Sequence, residues 1–402
     1  MLSAIKIKDG IYSVGVLNPN MRIFDVIMRT DYGTSYNSYL VKGEKTALIE
    51  TVHSKFFEEY IDNIKSVAEL SSIDYVIMNH NEPDHSGSLV KLIEAVPDIK
   101  IITSKAGSIY LKHITGKKDI EVISVKDGDT LDLGGGKVLK FISAPFLHWP
   151  DSIFTWLEND KVVFTCDFLG CHYCEPGMFD SFVKYPKRFL DAFKLYYEAI
   201  FSPFKPYVLS GLEKLSALDA EYVCTSHGPI LQKNGFLEKA KEYYLKWSTP
   251  EKRDNKLIPI FYCSAYGNTE KLAQSIKEGI KDVEKTADVE TYDLNEADFD
   301  TCAKLINNCD AFLIGSPTIN RDAVRPIWVL TASIDAINSK GKPCAVFGSF
   351  GWSGEAVPMI TERLKSLKFK VFDQNFTCQF VPTNEVLQKA REFGQSFAET
   401  LK

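Results

Sequence analysis

Residues 78–88 have the sequence MNHNEPDHSGS, in which two imidazoles and two carboxylates fall within six positions. These candidate ligands are His80, Glu82, Asp84 and His85. The preceding DYVIM is rich in apolar and β-branched residues, which predicts a strand, and a helix is predicted from about Ser88. Gly87 is expected to permit a sharp turn out of the loop. Burying these groups together is costly without a cation, so the stretch predicts a metal site in an α/β unit. The alternative is a surface loop of turn-forming residues.

Three further candidate ligands follow other predicted strands. His148 lies in the loop after KVLKFISA, Asp167 directly follows VVFTC, and His227 follows YVCTS. Strand ends at one rim of a sheet would bring all seven side chains together. Four histidines and three carboxylates are enough for two metal ions that share a bridging carboxylate.

The types of ligand favour iron over zinc. A zinc hydrolase of this architecture would carry His-x-His-x-Asp-His in the first loop, whereas Glu82 occupies the second position here. An additional carboxylate stabilises ferric iron and suits oxygen chemistry. The expected division is His80, Glu82 and His148 on one metal, Asp84, His85 and His227 on the other, with Asp167 bridging.

The pattern changes after KWSTPEKRDNK, residues 246–256, a charged stretch with Pro250 that is predicted to be a linker. Five short apolar runs then alternate with helix-length segments: LIPIFYC, DVETYDL, AFLIGS, KPCAVFGSF and FKVFDQ. An amphipathic helix is predicted from Asn384 to Lys402. This alternation predicts an open, doubly wound, mostly parallel sheet. The predicted domains are residues 1–248 and 254–402.

Three loops at the carboxyl ends of these strands predict a site for a monophosphate and a flat ring. The first, SAYGNTEKLA, offers backbone N–H groups and a helix N-terminus to a phosphate, and it lacks the lysine of an ATP-binding loop. The others are GSPTINRD and GSFGWSGEA, in which an aromatic residue among glycines suits a flat ring system. The candidate residues are Ser264, Tyr266, Gly267, Asn268, Thr269, Pro317, Thr318, Ile319, Asn320, Ser349, Phe350, Gly351, Trp352 and Gly354.

With these motifs the whole chain resembles the flavodiiron proteins, also called A-type flavoproteins, and in particular their clostridial and methanogen branch. The resemblance implies a metallo-β-lactamase-like αββα sandwich followed by a flavodoxin-like doubly wound sheet. It also implies two iron ions in the first domain and FMN in the second.

Three residues outside the ligand set are further candidates. His172, five residues after Asp167, is a candidate proton donor near the metals, with a hydrogen-bonded structural histidine as the alternative. Tyr197 resembles the aromatic wall of the family's pocket, with a core position on an amphipathic helix as the alternative. Many members carry a histidine in the early loop where this chain has Asp25, a change that would alter access, hydrogen bonding or the preference between gases.

The activity that the resemblance implies is reduction of dioxygen to water, with nitric oxide reduction to nitrous oxide at the same site as the alternative. Electrons would come through FMN from a separate carrier such as rubredoxin or a reduced deazaflavin. In the family a head-to-tail dimer brings the FMN of one subunit beside the irons of the other, so a homodimer or a dimer of dimers is expected. Two rivals are a zinc hydrolase fused to a flavodoxin and an electron carrier with a degenerate metal domain.

Composition sets the remaining limits. The 402 residues carry a formal net charge of −6, which argues against a nucleic-acid surface. No apolar run is long enough to span a bilayer, so we expect no membrane partner and a cytoplasmic location. The nine cysteines are irregularly spaced and do not predict a disulfide framework. Cys171 and Cys174 form a CxxC without a second pair, so its role stays open.

Overall fold

The structure is a computed structural model that describes residues 4–26, 28–250 and 252–402. The chain divides into two compact units at Pro250. Helix α7, residues Leu237–Ser248, continues into the stretch predicted to be a linker, so the connection is shorter than expected.

The first unit contains 17 described strands. They are β1 Ile5–Lys8, β2 Ile11–Ser13, β3 Val16–Asn18, β4 Ile23–Phe24, β5 Met28–Arg29, β6 Thr34–Tyr36, β7 Tyr39–Lys42, β8 Thr46–Ile49, β9 Ile73–Met78, β10 Lys100–Ser104, β11 Val122–Val125, β12 Thr130–Asp132, β13 Val138–Ser143, β14 Ile153–Leu157, β15 Val162–Cys166, β16 Tyr222–Thr225 and β17 Leu231–Gln232. Its α-helices are α1 Phe57–Lys65, α2 Pro83–Ser86, α3 Leu89–Ala95, α4 Lys105–Ile114, α5 Pro186–Tyr196, α6 Lys205–Ser216 and α7.

Thirteen of these strands form two sheets that pack face to face, and the other four form the two-stranded sheets β3-β6 and β4-β5. The first has the order β1-β2-β7-β8-β9-β10-β11 and the second the order β12-β13-β14-β15-β16-β17. Alternation along β7 shows the layering, because Tyr39 and Val41 point into the core shared with the second sheet while Leu40 packs beneath α1 and α3. On the second sheet Phe154 and Trp156 pack beneath α5 to α7. The unit is therefore the predicted αββα sandwich.

Glycine at position 87 has a different role from the one predicted. Its φ is −61°, which any residue can adopt. A Cβ at Gly87 would instead collide with the Pro83 carbonyl oxygen and lie 2.8 Å from the Ser54 backbone nitrogen. Glycine is required because two backbones pass close together, and the loop leaves through the helical turn α2.

The second unit contains strands β18 Ile260–Tyr262, β19 Thr291–Asp293, β20 Phe312–Ile319, β21 Asp322–Ala323, β22 Pro343–Phe350, β23 Lys370–Val371 and β24 Phe376–Gln379. Its helices are α8 Asn268–Val283, α9 Phe299–Asn308, α10 Arg325–Ser333, α11 Ala336–Ser339, α12 Ala356–Ser366 and α13 Asn384–Glu399. The parallel order β19-β18-β20-β22 is that of a doubly wound sheet, as predicted.

The last edge of this sheet differs from the prediction. The run FKVFDQ contributes only β23, which pairs with the start of β22 at Pro343 and Cys344. Strand β24 pairs with the rest of β22, from Phe347 to Phe350. The edge is therefore made by two short strands in succession, and the second was not predicted.

The C-terminal helix packs against α8 with close backbone contact. A Cβ at Gly279 would collide with the Arg391 carbonyl oxygen, and one at Gly394 would collide with that of Ile276. A glycine on each helix thus fixes the spacing of the pair. Within the described ranges no helix has the length and apolarity needed to cross a membrane.

Candidate metal centre and flavin site

The seven predicted metal ligands lie together at one edge of the sandwich. His80 and Glu82 follow β9, while Asp84 and His85 lie on the helical turn α2 that Pro83 begins. The other three follow strands of the second sheet, as predicted: His148 after β13, Asp167 after β15 and His227 after β16. All but His148 are buried as whole residues, and the His148 side chain is only 12% exposed.

One half of the cluster is formed by two imidazoles that share two carboxylate oxygens. The Nε2 atoms of His80 and His148 each lie 3.1 Å from Oε2 of Glu82. The same two atoms lie 3.6 and 3.2 Å from Oδ2 of Asp167. Ligand atoms that bind one metal at about 2.1 Å are about 3 Å from each other, so this spacing fits a single ion.

The other half uses the second oxygen of Asp167. The Nε2 atoms of His85 and His227 lie 3.3 and 3.5 Å from Oδ1 of that residue. Asp84 supplies one oxygen to each imidazole, at 3.4 Å from His85 and 3.0 Å from His227. Asp167 therefore faces both halves with different oxygens, which is the geometry of a carboxylate bridging two metals.

The electrostatics of the cluster call for cations. Burial alone would lower the pKa of the His85 imidazole, but Asp84 and Asp167 outweigh it and raise the pKa to about 10. Burial likewise opposes ionisation of Asp167, yet the neighbouring imidazoles, His85 first, hold its pKa well below the usual range.

The cluster also contains buried atoms without hydrogen-bond partners. Both carboxylate oxygens of Asp84, Nε2 of His85 and Oδ1 of Asp167 make no hydrogen bond among the described residues. Buried polar atoms are normally paired, so these orphaned atoms fit metal ligation. A donor set of four imidazoles and three carboxylates matches two iron ions.

A buried carboxylate that the sequence did not reveal supports the first ligand loop. Oε1 of Glu50, just beyond β8, accepts hydrogen bonds from the backbone nitrogens of Asn79 and His80 at 2.7 and 3.1 Å. Burial raises its pKa to about 7. The sequence offered only weak evidence for this role, because a glutamate directly after a strand is usually a turn residue.

His172 lies beside the cluster. Its Nδ1 is 2.8 Å from the Thr34 hydroxyl, and its ring centroid is 4.8 Å from that of His227. Its Nε2 has no partner among the described atoms. Burial, followed by the nearby His227, lowers the pKa of His172 well below its usual range, so the imidazole is neutral at physiological pH.

Tyr197 occupies a different place from the wall that the resemblance implies. Its hydroxyl lies 2.8 Å from that of Ser248, and its ring packs against Tyr244 and Trp247. The neighbouring Tyr196 has its ring 5.0 Å from His172 and 6.2 Å from His227. Tyr196 is therefore the tyrosine that faces the cluster, and it also lines a cavity of about 100 Å³ beside His172.

The hairpin β4–β5 carries Asp25 to the cluster. Burial raises the pKa of the Asp25 carboxyl, and the negative charges of Glu82 and Asp84 raise it further. Asp25 and Val26 form the turn with φ of 45° and 67°, and the Val26 side chain is 90% exposed. Phe24 on the same hairpin lies 4.5 Å from the His172 ring.

The CxxC pair is not bonded to itself. Cys171 and Cys174 are free thiols, and burial raises the pKa of Cys171 above its usual range and that of Cys174 to about 11. Neither thiol is activated as a nucleophile, because that requires a lowered pKa.

In the second unit the first predicted flavin loop joins β18 to α8. Gly267 has φ 77°, a conformation that favours glycine, and the helix begins at the next residue. The Ser264 hydroxyl accepts a hydrogen bond from the Glu270 nitrogen at 3.3 Å. The buried Thr269 hydroxyl lies 2.8 Å from that of Ser349, which connects the first loop to the third.

The other two loops lie at the ends of β20 and β22. Pro317, Thr318 and Ile319 are the last residues of β20, and Asn320 follows in the turn with φ 56°. Ser349 and Phe350 end β22, and Gly351, Trp352 and Gly354 follow them. The three loops thus share the carboxyl edge of adjacent strands, where doubly wound sheets bind ligands.

Two aromatic side chains at this edge are almost fully exposed to solvent. Tyr266 is 90% exposed and Trp352 is 89% exposed. Phe380, which the sequence did not single out, is 59% exposed, and its ring lies 3.4 Å from where a Gly351 Cβ would be. Aromatic rings without apolar cover, beside a helix N-terminus, fit a flat ring carrying a phosphate.

Comparison with known proteins agrees with both units. Residues 34–228 match the family described as ODP family beta lactamase, and residues 260–394 match the flavodoxin family. The chain is 59% identical over 400 residues to the flavo-diiron protein FprA2 of Clostridium acetobutylicum, with all of both chains covered. It is 34% identical over 403 residues to the anaerobic nitric oxide reductase flavorubredoxin of Vibrio vulnificus, covering 98% of this chain and 79% of the relative.

Among solved structures, the rubredoxin oxygen:oxidoreductase of Desulfovibrio gigas matches with a TM-score of 0.71 and 30% identity, covering 99% of this chain and 98% of the other. The full-length match to FprA2, both domain matches and the buried ligand cluster all agree. The chain therefore belongs to the flavodiiron proteins, a family of oxidoreductases that bind FMN and a diiron centre.

Proposed function

We propose that this chain reduces dioxygen to water, with electrons that enter through FMN and are used at the diiron centre. The observation that carries the proposal is the buried cluster of seven ligands in which Asp167 faces two half-sites with different oxygens. When bound, the irons supply gas binding and electron transfer, and FMN accepts electrons from the donor. The overall reaction consumes four electrons and four protons for each dioxygen.

The protein's own residues would hold the metals in place and keep bulk water out. The cluster is enclosed by aromatic rings, since Phe24 and Tyr196 contact the His172 ring and Phe201 lies 6.1 Å from the His148 ring.

A proton-donating role for His172 would use the Thr34 hydroxyl. That hydroxyl is 2.8 Å from Nδ1 of His172 and 3.5 Å from Nδ1 of His227. A neutral imidazole relays a proton by taking one up at Nε2, which has no partner among the described atoms, as it gives one from Nδ1 to the Thr34 hydroxyl, which releases its own proton onward. The variant His172→Gln should slow turnover without loss of iron or FMN. Unchanged turnover across pH would remove His172 from the mechanism.

Asp25 stays a candidate for setting gas preference. Its carboxyl lies on the side of the cluster that carries Glu82 and Asp84. Replacing it with histidine, as in many family members, should change the ratio of dioxygen to nitric oxide turnover. Asp25→Asn is the control, because it keeps the size of the side chain.

The proposal extends to partners and assembly. The Desulfovibrio gigas relative is named for rubredoxin, so rubredoxin is the first donor to test, with reduced deazaflavin as the alternative. Two exposed apolar side chains, Trp352 in the third flavin loop and Val26 in the β4–β5 turn, support a head-to-tail homodimer or a dimer of such dimers. A cytoplasmic location is part of the same proposal.

The discriminating experiment is steady-state turnover of dioxygen and of nitric oxide with one reduced donor. The proposal expects the higher kcat/KM with dioxygen and water as the product. A higher kcat/KM with nitric oxide would favour the second candidate, which the flavorubredoxin relative supports by its name. Two zinc ions per chain, with a hydrolytic activity independent of FMN, would instead establish the hydrolase.

A further inference from the structure

Asp151 is a fully buried carboxylate that belongs to none of the seven ligand positions. It has no solvent exposure and lies in the short segment between His148 and strand β14. Burying a carboxylate costs free energy unless each oxygen finds a donor. Both oxygens of Asp151 are directed at the ligand loop that follows β9.

One oxygen contacts the outer nitrogen of a metal ligand. Oδ1 of Asp151 lies 3.3 Å from Nδ1 of His80. The other ring nitrogen, Nε2, faces Glu82 and Asp167 in the cluster. A carboxylate acceptor at Nδ1 keeps the proton there, so Nε2 presents its lone pair to the metal side.

The other oxygen is held by hydrogen bonds from Asn81, whose side chain is itself fixed by Thr103. Oδ2 accepts from the backbone nitrogen of Asn81 at 3.0 Å and from its side-chain amide at 2.7 Å. The same amide donates to the Thr103 hydroxyl at 3.2 Å, and that hydroxyl donates to the Met78 carbonyl oxygen at 2.7 Å. A Cβ at Gly107 would collide with the Asn81 amide nitrogen and with the Thr103 hydroxyl oxygen, so glycine leaves room for this pair.

We infer that Asp151 is a positioning residue that fixes the tautomer and orientation of His80 and raises its strength as a ligand to the His80–Glu82–His148 metal. A negative charge behind the imidazole stabilises the more highly charged metal and lowers its reduction potential. The inference rests on the metal centre in the proposed function and holds whichever gas is reduced.

The test is Asp151→Asn in the full-length, iron- and FMN-loaded chain. Whichever way the new amide turns, its NH₂ meets a donor, either at Asn81 or at Nδ1–H of His80. We expect release of iron to a chelator to be about 10- to 100-fold faster. We also expect a higher reduction potential at the iron site, by about 59 mV for each tenfold loss of preference for the ferric ion. The FMN potential should not move.

A matched control is available in Asp180→Asn. Asp180 is also buried, and its Oδ2 accepts backbone hydrogen bonds from Gln232 at 3.0 Å and Phe236 at 2.6 Å. It contacts none of the seven ligands. This variant should lose stability and keep the iron potential and release rate of the wild type. Equal shifts in both variants would show a general loosening of the fold and would overturn the inference.

A second variant decides the case if Asp151→Asn does not fold. Asn81→Ala removes the side-chain donor to Oδ2 and leaves the contact of Asp151 with His80. We expect a lower melting temperature with no rise in the iron potential. A rise would show that Asp151 acts only as a loop anchor. Wild-type protein that fails to hold iron would refute the proposed metal centre itself, and wild-type iron release from Asp151→Asn would refute this inference alone.

Discussion

The metal cluster and the flavin loops differ sharply in solvent exposure, although both lie at the carboxyl ends of strands. In the cluster His80 has no exposure and His227 is 1% exposed, with each imidazole set against carboxylates. At the flavin edge Tyr266 and Trp352 are about nine-tenths exposed. The first site is already ordered by charge pairs within the chain. The second offers apolar rings and backbone donors that become covered only when a ligand or another subunit binds.

The largest expected effect comes from removing the shared carboxylate of the ordered site. Asp167→Ala takes one oxygen from each half of the cluster and leaves four imidazoles with less negative charge to balance them. We expect gas turnover to fall by more than about 100-fold, beyond the usual loss from an outer partner. Iron analysis and activity should fall together while FMN content stays at one per chain. Retained turnover would show that the cluster is not the site of gas reduction.

Removing the iron tests whether the ordered site depends on cations for stability. Without them the carboxylates and imidazoles of the cluster face one another, and both Asp84 oxygens lack a hydrogen bond among the described residues. An ion present at about 1,000 times its Kd stabilises the folded state by about 4 kcal/mol. Calorimetry with and without a chelator should show a lower melting temperature for the first unit. The second unit's transition should not change, and it serves as the internal control.

A substitution in the flavin loops should weaken ligand binding without lowering the stability of the fold. Trp352→Ala removes a ring that packs on little of the protein, so the melting temperature of the apoprotein should stay constant. The Kd for FMN should rise up to about tenfold, as expected for one lost aromatic contact. Tyr185→Ala, at a tyrosine 57% exposed in the first unit, is the control and should bind FMN normally. An unchanged Kd for Trp352→Ala would show that the flavin ring does not bind against Trp352.

The smallest effect concerns a surface contact away from both sites. Asp282 on α8 is held by Arg391 on α13 through bonds of 2.7 and 2.8 Å, which lowers the pKa of the carboxyl to about 2. A lowered folded-state pKa gives stability that is present above about pH 4 and lost as the pH falls through 2. Asp282→Asn should lower the melting temperature at pH 7 by no more than about 2 °C. The difference from wild type should shrink in melts at pH 3, and a constant difference would contradict the ionic origin.

The sequence predicted the seven candidate metal ligands because they follow apolar strands or lie on the helical turn after one, and strand ends converge. Asp151 and Glu50 escaped because they act on His80 from distant parts of the chain, and no local pattern marks such a contact. Tyr197 illustrates a different limit. Helix α5 ends at Tyr196 and a π-helical turn begins, so apolar periodicity could not show which of two adjacent tyrosines faces the cluster.

In the second unit the alternation of strands and helices was enough to predict the parallel sheet. The edge strand β24 escaped because it is only partly buried, and FTCQ does not form an apolar run. The candidate FMN loops were predicted from their composition. Phe380 was missed because it approaches Gly351 from β24, a strand that the sequence did not predict.

The central claim is that the two sites act in series, and anaerobic stopped-flow spectroscopy tests it most directly. Chain with reduced FMN is mixed with dioxygen, once loaded with iron and once with the iron removed, and FMN reoxidation and hydrogen peroxide are followed together. The account predicts fast reoxidation without peroxide in the iron-loaded chain, and slow reoxidation with peroxide as the product in the iron-free chain. Equal rates with the same product in both samples would contradict it.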